Sequence, residues 1–220
     1  VNVVLVHGAF VDGSTWRSVY DLLVGDGHHV TVAQNPNLSL RGDVESTRLI
    51  IDAQDGPVVL VGHSYGGAVI TEAGNHDKVT ALVYIAAFVP DAGESVKALG
   101  GDPAAPGSPI VTGPGGFLFQ DRTRFHDSFG ADLPAADAQF MADCQVPWAI
   151  DAMSSAVTEA AWHGKPSWYL IATDDRMIPP SAQRAMVRRA GATTVEVAAS
   201  HAVYMSQPGA VADVVRRACV

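Results

Sequence analysis

The chain has 220 residues, 48% of them hydrophobic and 17% charged, and a formal net charge of -9. That length suits a single domain burying roughly 70% of its unfolded surface. An acidic chain without an Arg/Lys cluster repels phosphate backbones, so no nucleic-acid partner is expected; without an apolar run of about 18 residues, no membrane span is expected either.

In chain order, residues 3–6 form an apolar run ended by His7-Gly8 and read as a buried strand. The chain opens on this strand and not on a charged leader, so an export signal is expected to be absent or already removed. Trp16, Val19, Leu22 and Leu23 fall at helical spacing, and Gly25 and Gly27 stop that helix. A second strand covers residues 28–33, Asn35-Pro36-Asn37 turns the chain, and a helix is expected over 43–54. Residues 58–61 are again wholly apolar and run into Gly62-His63-Ser64-Tyr65-Gly66-Gly67, after which helix signals last from Ala68 to about Gly74. The next strand is 79–86. Apolar strands alternating with helices predict a mostly parallel sheet covered on both faces.

From about residue 88 to 165 the pattern changes. Pro, Gly and Asp are frequent, and helical pieces are expected at 122–129, 135–144 and 149–160. This stretch reads as an insertion over the carboxyl edge of the sheet within one domain, 1–220. Its aromatics either pack the insertion's own small core or line an apolar pocket; Phe117, Phe119, Phe140, Trp148 and Trp162 are the pocket candidates. The strand–helix pattern resumes with a strand at 167–172, a helix at 181–190, a strand at 194–197 and a closing helix at 208–217. Two widely separated cysteines, Cys144 and Cys219, are expected as free thiols in a reducing, cytoplasmic setting, with one disulfide between them as the alternative.

Gly62-His63-Ser64-Tyr65-Gly66 fits G-x-S-x-G at the junction of a strand and a helix. In that context the turn presents Ser64 above the sheet as a nucleophile, with main-chain N–H groups at the helix start able to hold an oxyanion. The donors expected are the N–H of Tyr65 and, from the loop after the first strand, that of Phe10. A serine hydroxyl needs a histidine base. Of eight histidines, His201 follows the last strand and fits the order Ser…Asp…His. His28 and His29 start a strand, His63 sits in the elbow but points away from the nucleophile's face, His76 lies in a distant loop, and His126 and His163 belong to the insertion. His7 is expected to brace its loop. The acid follows the preceding strand, where position alone leaves Asp174 and Asp175 open. No HExxH and no G-x-G-x-x-G is present, so neither a metal nor a dinucleotide cofactor is expected.

Taken together, His7-Gly8-Ala9-Phe10, Trp16, the 62–67 elbow, Asp175 and His201 resemble the α/β-hydrolase superfamily. Gly27-His28-His29-Val30-Thr31 narrows the likeness to bacterial esterases related to plant methylesterases and hydroxynitrile lyases. The resemblance implies the α/β-hydrolase fold with a small, mainly helical cap after the strand that corresponds to the family's sixth. It favours Asp175 as the acid, because the usual acid is followed by two or three residues and a proline, as in Asp175-Arg176-Met177-Ile178-Pro179. It implies a cofactor-free serine carboxylesterase; the apolar, aromatic-rich insertion suggests small to medium hydrophobic esters as substrates, an amide or lactone would use the same residues, and the chain is expected as monomer or homodimer. The lyase members carry a threonine two positions before the loop-opening histidine and a lysine after the catalytic one. Leu5 and Ala202 stand there, which argues against cyanohydrin cleavage. A lyase-like enzyme and a non-catalytic small-molecule binder remain the alternatives.

Overall fold

The computed structural model describes residues 1–220. Its frame is a six-stranded, wholly parallel sheet of β1 (Asn2–Val6), β2 (His29–Ala33), β3 (Val58–His63), β4 (Val79–Ile85), β7 (Ser167–Ala172) and β8 (Thr193–Val197), in the order β2-β1-β3-β4-β7-β8. Between β4 and β7 a separate antiparallel pair, β5 (Ile110–Thr112) and β6 (Leu118–Gln120), forms a hairpin.

Continuous apolar strands are needed because the sheet is buried on both sides. Val4, Val6, Val58, Leu60, Leu82 and Tyr84 point into one core, with residues of α2 (Leu40–Asp52), α3 (Gly66–Ala73) and α8 (Pro180–Ala190). Val3, Leu5, Val59, Val61, Val83 and Ile85 point into the other, with α1 (Arg17–Gly25) and α10 (Pro208–Ala218). Alternate residues of each strand thus serve opposite cores. Each fully buried aliphatic side chain contributes about 1.5–3 kcal/mol.

Element ends differ from expectation for local reasons. The helix expected from residue 43 begins at Leu40, because the Ser39 hydroxyl caps it by accepting from the Gly42 N–H at 3.1 Å. The insertion between β4 and β7 holds four short helices: α4 (Val96–Gly100), α5 (Phe125–Phe129), α6 (Ala135–Asp143) and α7 (Ile150–Ser154). The helix expected over 149–160 stops at Ser154. Beyond it Val157 pairs in extended fashion with the 93–94 turn, through Val157 N–H to Glu94 O and Gly93 N–H to Val157 O, at 2.9 and 2.8 Å. Tertiary pairing there overrides local helix preference. The three-residue strands of the hairpin are too short to carry a period, and α9 (Val203–Ser206) is a single turn of four residues. Cys144 and Cys219 are both free thiols, and no helix is long and apolar enough to cross a membrane.

The tightest approach between sheet and helix lies at Gly67, where an added Cβ would stand 2.2 Å from Phe88 O and 2.8 Å from Ala87 Cβ. Gly67→Ala is expected to cost about 3 kcal/mol, lowering Tm by about 6–12 °C. Thermal unfolding of the variant beside the wild type checks this; an unchanged Tm would mean that the turn relaxes freely.

Candidate active site

The carboxyl ends of the parallel strands share one edge, and the site is built there. β3 ends at His63, and the next residue, Ser64, has φ 53, left-handed backbone that is uncommon outside glycine. Such strain, of order 1–3 kcal/mol, persists only where surrounding structure over-determines it. Here the Ser64 N–H reaches Ile85 O at 3.3 Å, and Ser64 O accepts from the N–H groups of Gly67 and Phe88 at 2.9 and 3.1 Å. The loop after β1 passes directly alongside, so close that a Cβ on Gly8 would be 2.8 Å from Ser64 Cβ.

That loop is fixed by His7. The Asn35 N–H donates to His7 Nε2 at 2.9 Å, so the ring proton is on Nδ1, which donates to Gly8 O at 2.8 Å. Burial holds His7 below its ordinary pKa, keeping it neutral in this bracing role. Phe10 has φ 67, and its carbonyl accepts from the Val146 N–H at 3.2 Å. The N–H groups of Phe10 and Tyr65 have no acceptor within the protein. They flank Ser64 and are free for an incoming oxyanion.

His201, in the loop after β8, carries Asp175 on its Nδ1, with Nδ1 to Oδ2 at 2.8 Å and both side chains almost fully buried. This leaves Nε2 as the ring nitrogen for proton transfer. Asp175 Oδ1 also accepts from the N–H groups of Met177 and Ile178 at 2.7 and 2.9 Å, and Oδ2 from Gln183 Nε2 at 2.9 Å. Asp174 is exposed and its carboxylate makes no hydrogen bond; only its N–H is used, on Ala199 O at 3.1 Å. Sequence reasoning missed Gln183. Its signal was a polar residue within the buried stripe of α8, one turn before Met186 and Val187. Its carboxamide is locked by donating to Ile178 O and accepting from the Ala172 N–H, at 2.7 and 3.2 Å.

His63 is not aimed into the serine's cavity, yet it is no bystander. Its ring lies between those of His201 and Tyr204, with centroids 4.6 and 4.4 Å away.

Ser64 opens into a cavity of about 60 Å³ whose lining is hydrophobic at 10 of 12 residues, among them Ala9, Phe10, Phe88, Trp148, Met153 and Ile178. Of the aromatics expected there, the structure brings only Trp148 to it. Phe140 is 68% exposed on α6 and borders a different groove, shared with Val11 and Met141. Phe119 borders a third, open groove along the hairpin. Phe117 is half-buried at the hairpin turn, against Gly115. Trp162 packs in the main core, donating its indole N–H to Pro90 O at 2.9 Å. Aromatic content alone does not separate these environments. Phe88, Met153, Met177 and Ile178, which do line the cavity, carried no distinguishing pattern.

A family model of the alpha/beta hydrolase family matches residues 3–214. The chain belongs to the α/β-hydrolase family. Within it, this α/β hydrolase is a hydrolytic enzyme of the esterase class, on the branch related to the plant methylesterases. It is 29% identical to a pyrethroid hydrolase of Sphingobium wenxiniae, over 97% of this chain and 86% of that protein. It is 39% identical to a carbendazim hydrolyzing esterase of a Nocardioides species, over 44% of this chain and 46% of that protein. Methylesterase 2 of Arabidopsis thaliana is 35% identical over 41% of this chain and 40% of its own length. The last two matches thus span less than half of those relatives. The fold matches the crystal structure of a pyrethroid hydrolase from Sphingobium faniae, with a TM-score of 0.82 at 24% identity over 98% of this chain and 96% of the other. It also matches polyneuridine aldehyde esterase, with a TM-score of 0.83 at 19% identity over 100% and 99%.

One buried carboxylate of this α/β hydrolase adjoins the site without belonging to the triad positions. Asp43 accepts from the Tyr65 hydroxyl at 2.5 Å and from the Asn37 N–H at 2.9 Å. Burial pushes its pKa up from 3.8 to about 6. Between those two values the folded chain holds the proton more tightly than the unfolded one. Stability therefore falls as pH rises through that window, by up to about 3 kcal/mol. Asp43→Asn is expected to remove this slope. Urea unfolding at about pH 4 and about pH 7 measures the difference between the two proteins, and parallel pH profiles would contradict it.

Proposed function

We propose that this α/β hydrolase is a serine carboxylesterase that cleaves small to medium hydrophobic esters through an acyl-enzyme. The whole chain acts as one domain, with residues 88–165 as its cap. The observation that carries the reading is the buried His201–Asp175 pair at the same sheet edge as a serine held in left-handed backbone.

His201 Nε2 takes the proton from Ser64 Oγ as the oxygen attacks the ester carbonyl. Asp175 fixes the ring's tautomer and stabilises the imidazolium that forms. The N–H groups of Phe10 and Tyr65 receive the negative charge on the carbonyl oxygen, in a cavity whose apolar walls strengthen those bonds. Collapse of the tetrahedral intermediate expels the alcohol, protonated by His201. A water deprotonated by the same nitrogen then releases the acid and restores Ser64.

Leu5 and Ala202 are both completely buried and apolar, offering neither a hydroxyl nor an ammonium to hold cyanide, which favours hydrolysis over cyanohydrin cleavage. The relatives' names, an esterase, a pyrethroid hydrolase and a methylesterase, support ester chemistry. The free thiols support a reducing, cytoplasmic setting.

With p-nitrophenyl butyrate, Ser64→Ala and His201→Ala are expected to lower kcat about 10⁴-fold or more, and Asp175→Asn about 10³–10⁴-fold. Asp174→Asn is expected to stay within about twofold, as an exposed substitution. A collapse confined to Asp174→Asn would reassign the acid, and full activity in Ser64→Ala would end the mechanism. With mandelonitrile, the wild type should release no cyanide beyond the uncatalysed background.

A further inference from the structure

The loop carrying His201 has no regular structure of its own before α9, yet it is gripped at three consecutive residues by groups from outside it. Ser200 donates its N–H to Asp132 Oδ2 at 3.1 Å and its hydroxyl to Asp132 Oδ1. His201 O accepts from His63 Nε2 at 2.9 Å. The Ala202 N–H reaches Phe129 O at 3.0 Å, and the Phe129 ring meets the His201 ring edge-on with centroids 4.8 Å apart. Asp132 and Phe129 come from the cap, where α5 ends; His63 comes from the elbow beside the nucleophile.

We infer that His63 and Asp132 are positioning residues for His201, holding the main chain at His201 from the elbow and at the preceding Ser200 from the cap, so that the imidazole keeps its place relative to Ser64. The inference rests on the reading of His201 as the base.

The chemistry of each group suits this task. A carbonyl partner obliges His63 Nε2 to carry the ring proton, so Nδ1 is the unprotonated nitrogen, and it is buried without a partner. A second proton would have nowhere to bond and would place a cation against the ring that must itself become cationic during catalysis. Burial and the neighbouring His201 accordingly hold His63 well below the ordinary histidine range. It remains a neutral donor and does not compete as a base. Asp132 stands at the surface but turns both carboxylate oxygens to Ser200, which is buried. Burial pushes Asp132 up, and the hydroxyl and N–H of Ser200, together with the nearby Ser206, more than offset this, so the group lies below the ordinary carboxylate range and accepts as an anion. Asp175 fixes the ring, while these two groups fix the main chain from which the ring hangs.

The test is steady-state kinetics on p-nitrophenyl butyrate with Tm measured for each variant: His63→Leu, His63→Gln, Asp132→Ala and, as reference, His201→Ala. His63→Leu removes the donor and is expected to lower kcat about tenfold, which corresponds to about 1.4 kcal/mol of barrier, with KM within about twofold. His63→Gln keeps an N–H donor and should recover most of that loss. Asp132→Ala strips both bonds from buried Ser200 and should lower kcat several-fold while Tm falls by only a few degrees, so it decides the matter if His63→Leu does not fold. Wild-type kcat in Asp132→Ala and in folded His63→Leu would overturn the inference while His201→Ala stays inactive. Losses that merely follow Tm and are not recovered by glutamine would do the same. Activity in His201→Ala would instead remove the reading on which the inference rests.

Discussion

A carboxylate and an imidazole, both withdrawn from water, face each other across 2.8 Å at the sheet's carboxyl edge. Burying a charge is costly unless every lone pair is used. Asp175 meets that condition, since four donors converge on it: His201, the N–H groups of Met177 and Ile178, and Gln183. The turn after β7, the first turns of α8 and the loop after β8 must all be in place for this to hold. The pair is thus a consequence of the parallel sheet, which delivers those strand ends side by side, and the catalytic proposal is a consequence of the pair.

The cap is stitched to the same machinery. Val146 donates its N–H to Phe10 O, Ala149 donates to Asn37 O, and Trp148 exchanges backbone bonds with Leu118 of the hairpin. The Trp148 ring then packs on both Phe10 and Tyr65, with centroids 5.5 and 5.2 Å away. The two residues whose N–H groups flank Ser64 therefore share one cap side chain as a wall. Asp132 and Phe129 extend the same logic to the histidine loop. An insertion that covers the cavity also bears on the groups that would do the chemistry, which explains why its irregular stretches are tightly bonded to the sheet domain.

What was legible in the sequence follows from physics that acts locally. Strands buried on both faces must be apolar along their buried length, so β1, β3 and β4 are plain in residues 3–6, 58–61 and 81–85. The elbow is legible because Gly66 and Gly67 admit backbone approaches no side chain would allow. Asp174 and Asp175 could not be separated by position, since one residue of a loop decides which carboxylate turns inward. Of the expected cavity walls, only Trp148 was legible. Phe140 and Trp148 are alike as letters, but α6 turns one outward and the pairing with Leu118 turns the other in. Gln183 and Asp132 escaped because their partners are brought close only by the finished fold.

The central claim is that Ser64 is made nucleophilic by His201. Its most direct test is covalent labelling with a fluorophosphonate, followed by peptide mapping by mass spectrometry. The account predicts a single adduct, on Ser64, forming rapidly in the wild type and absent from folded His201→Ala over the same time. An adduct on another residue, or labelling of Ser64 at an unchanged rate without His201, would contradict it.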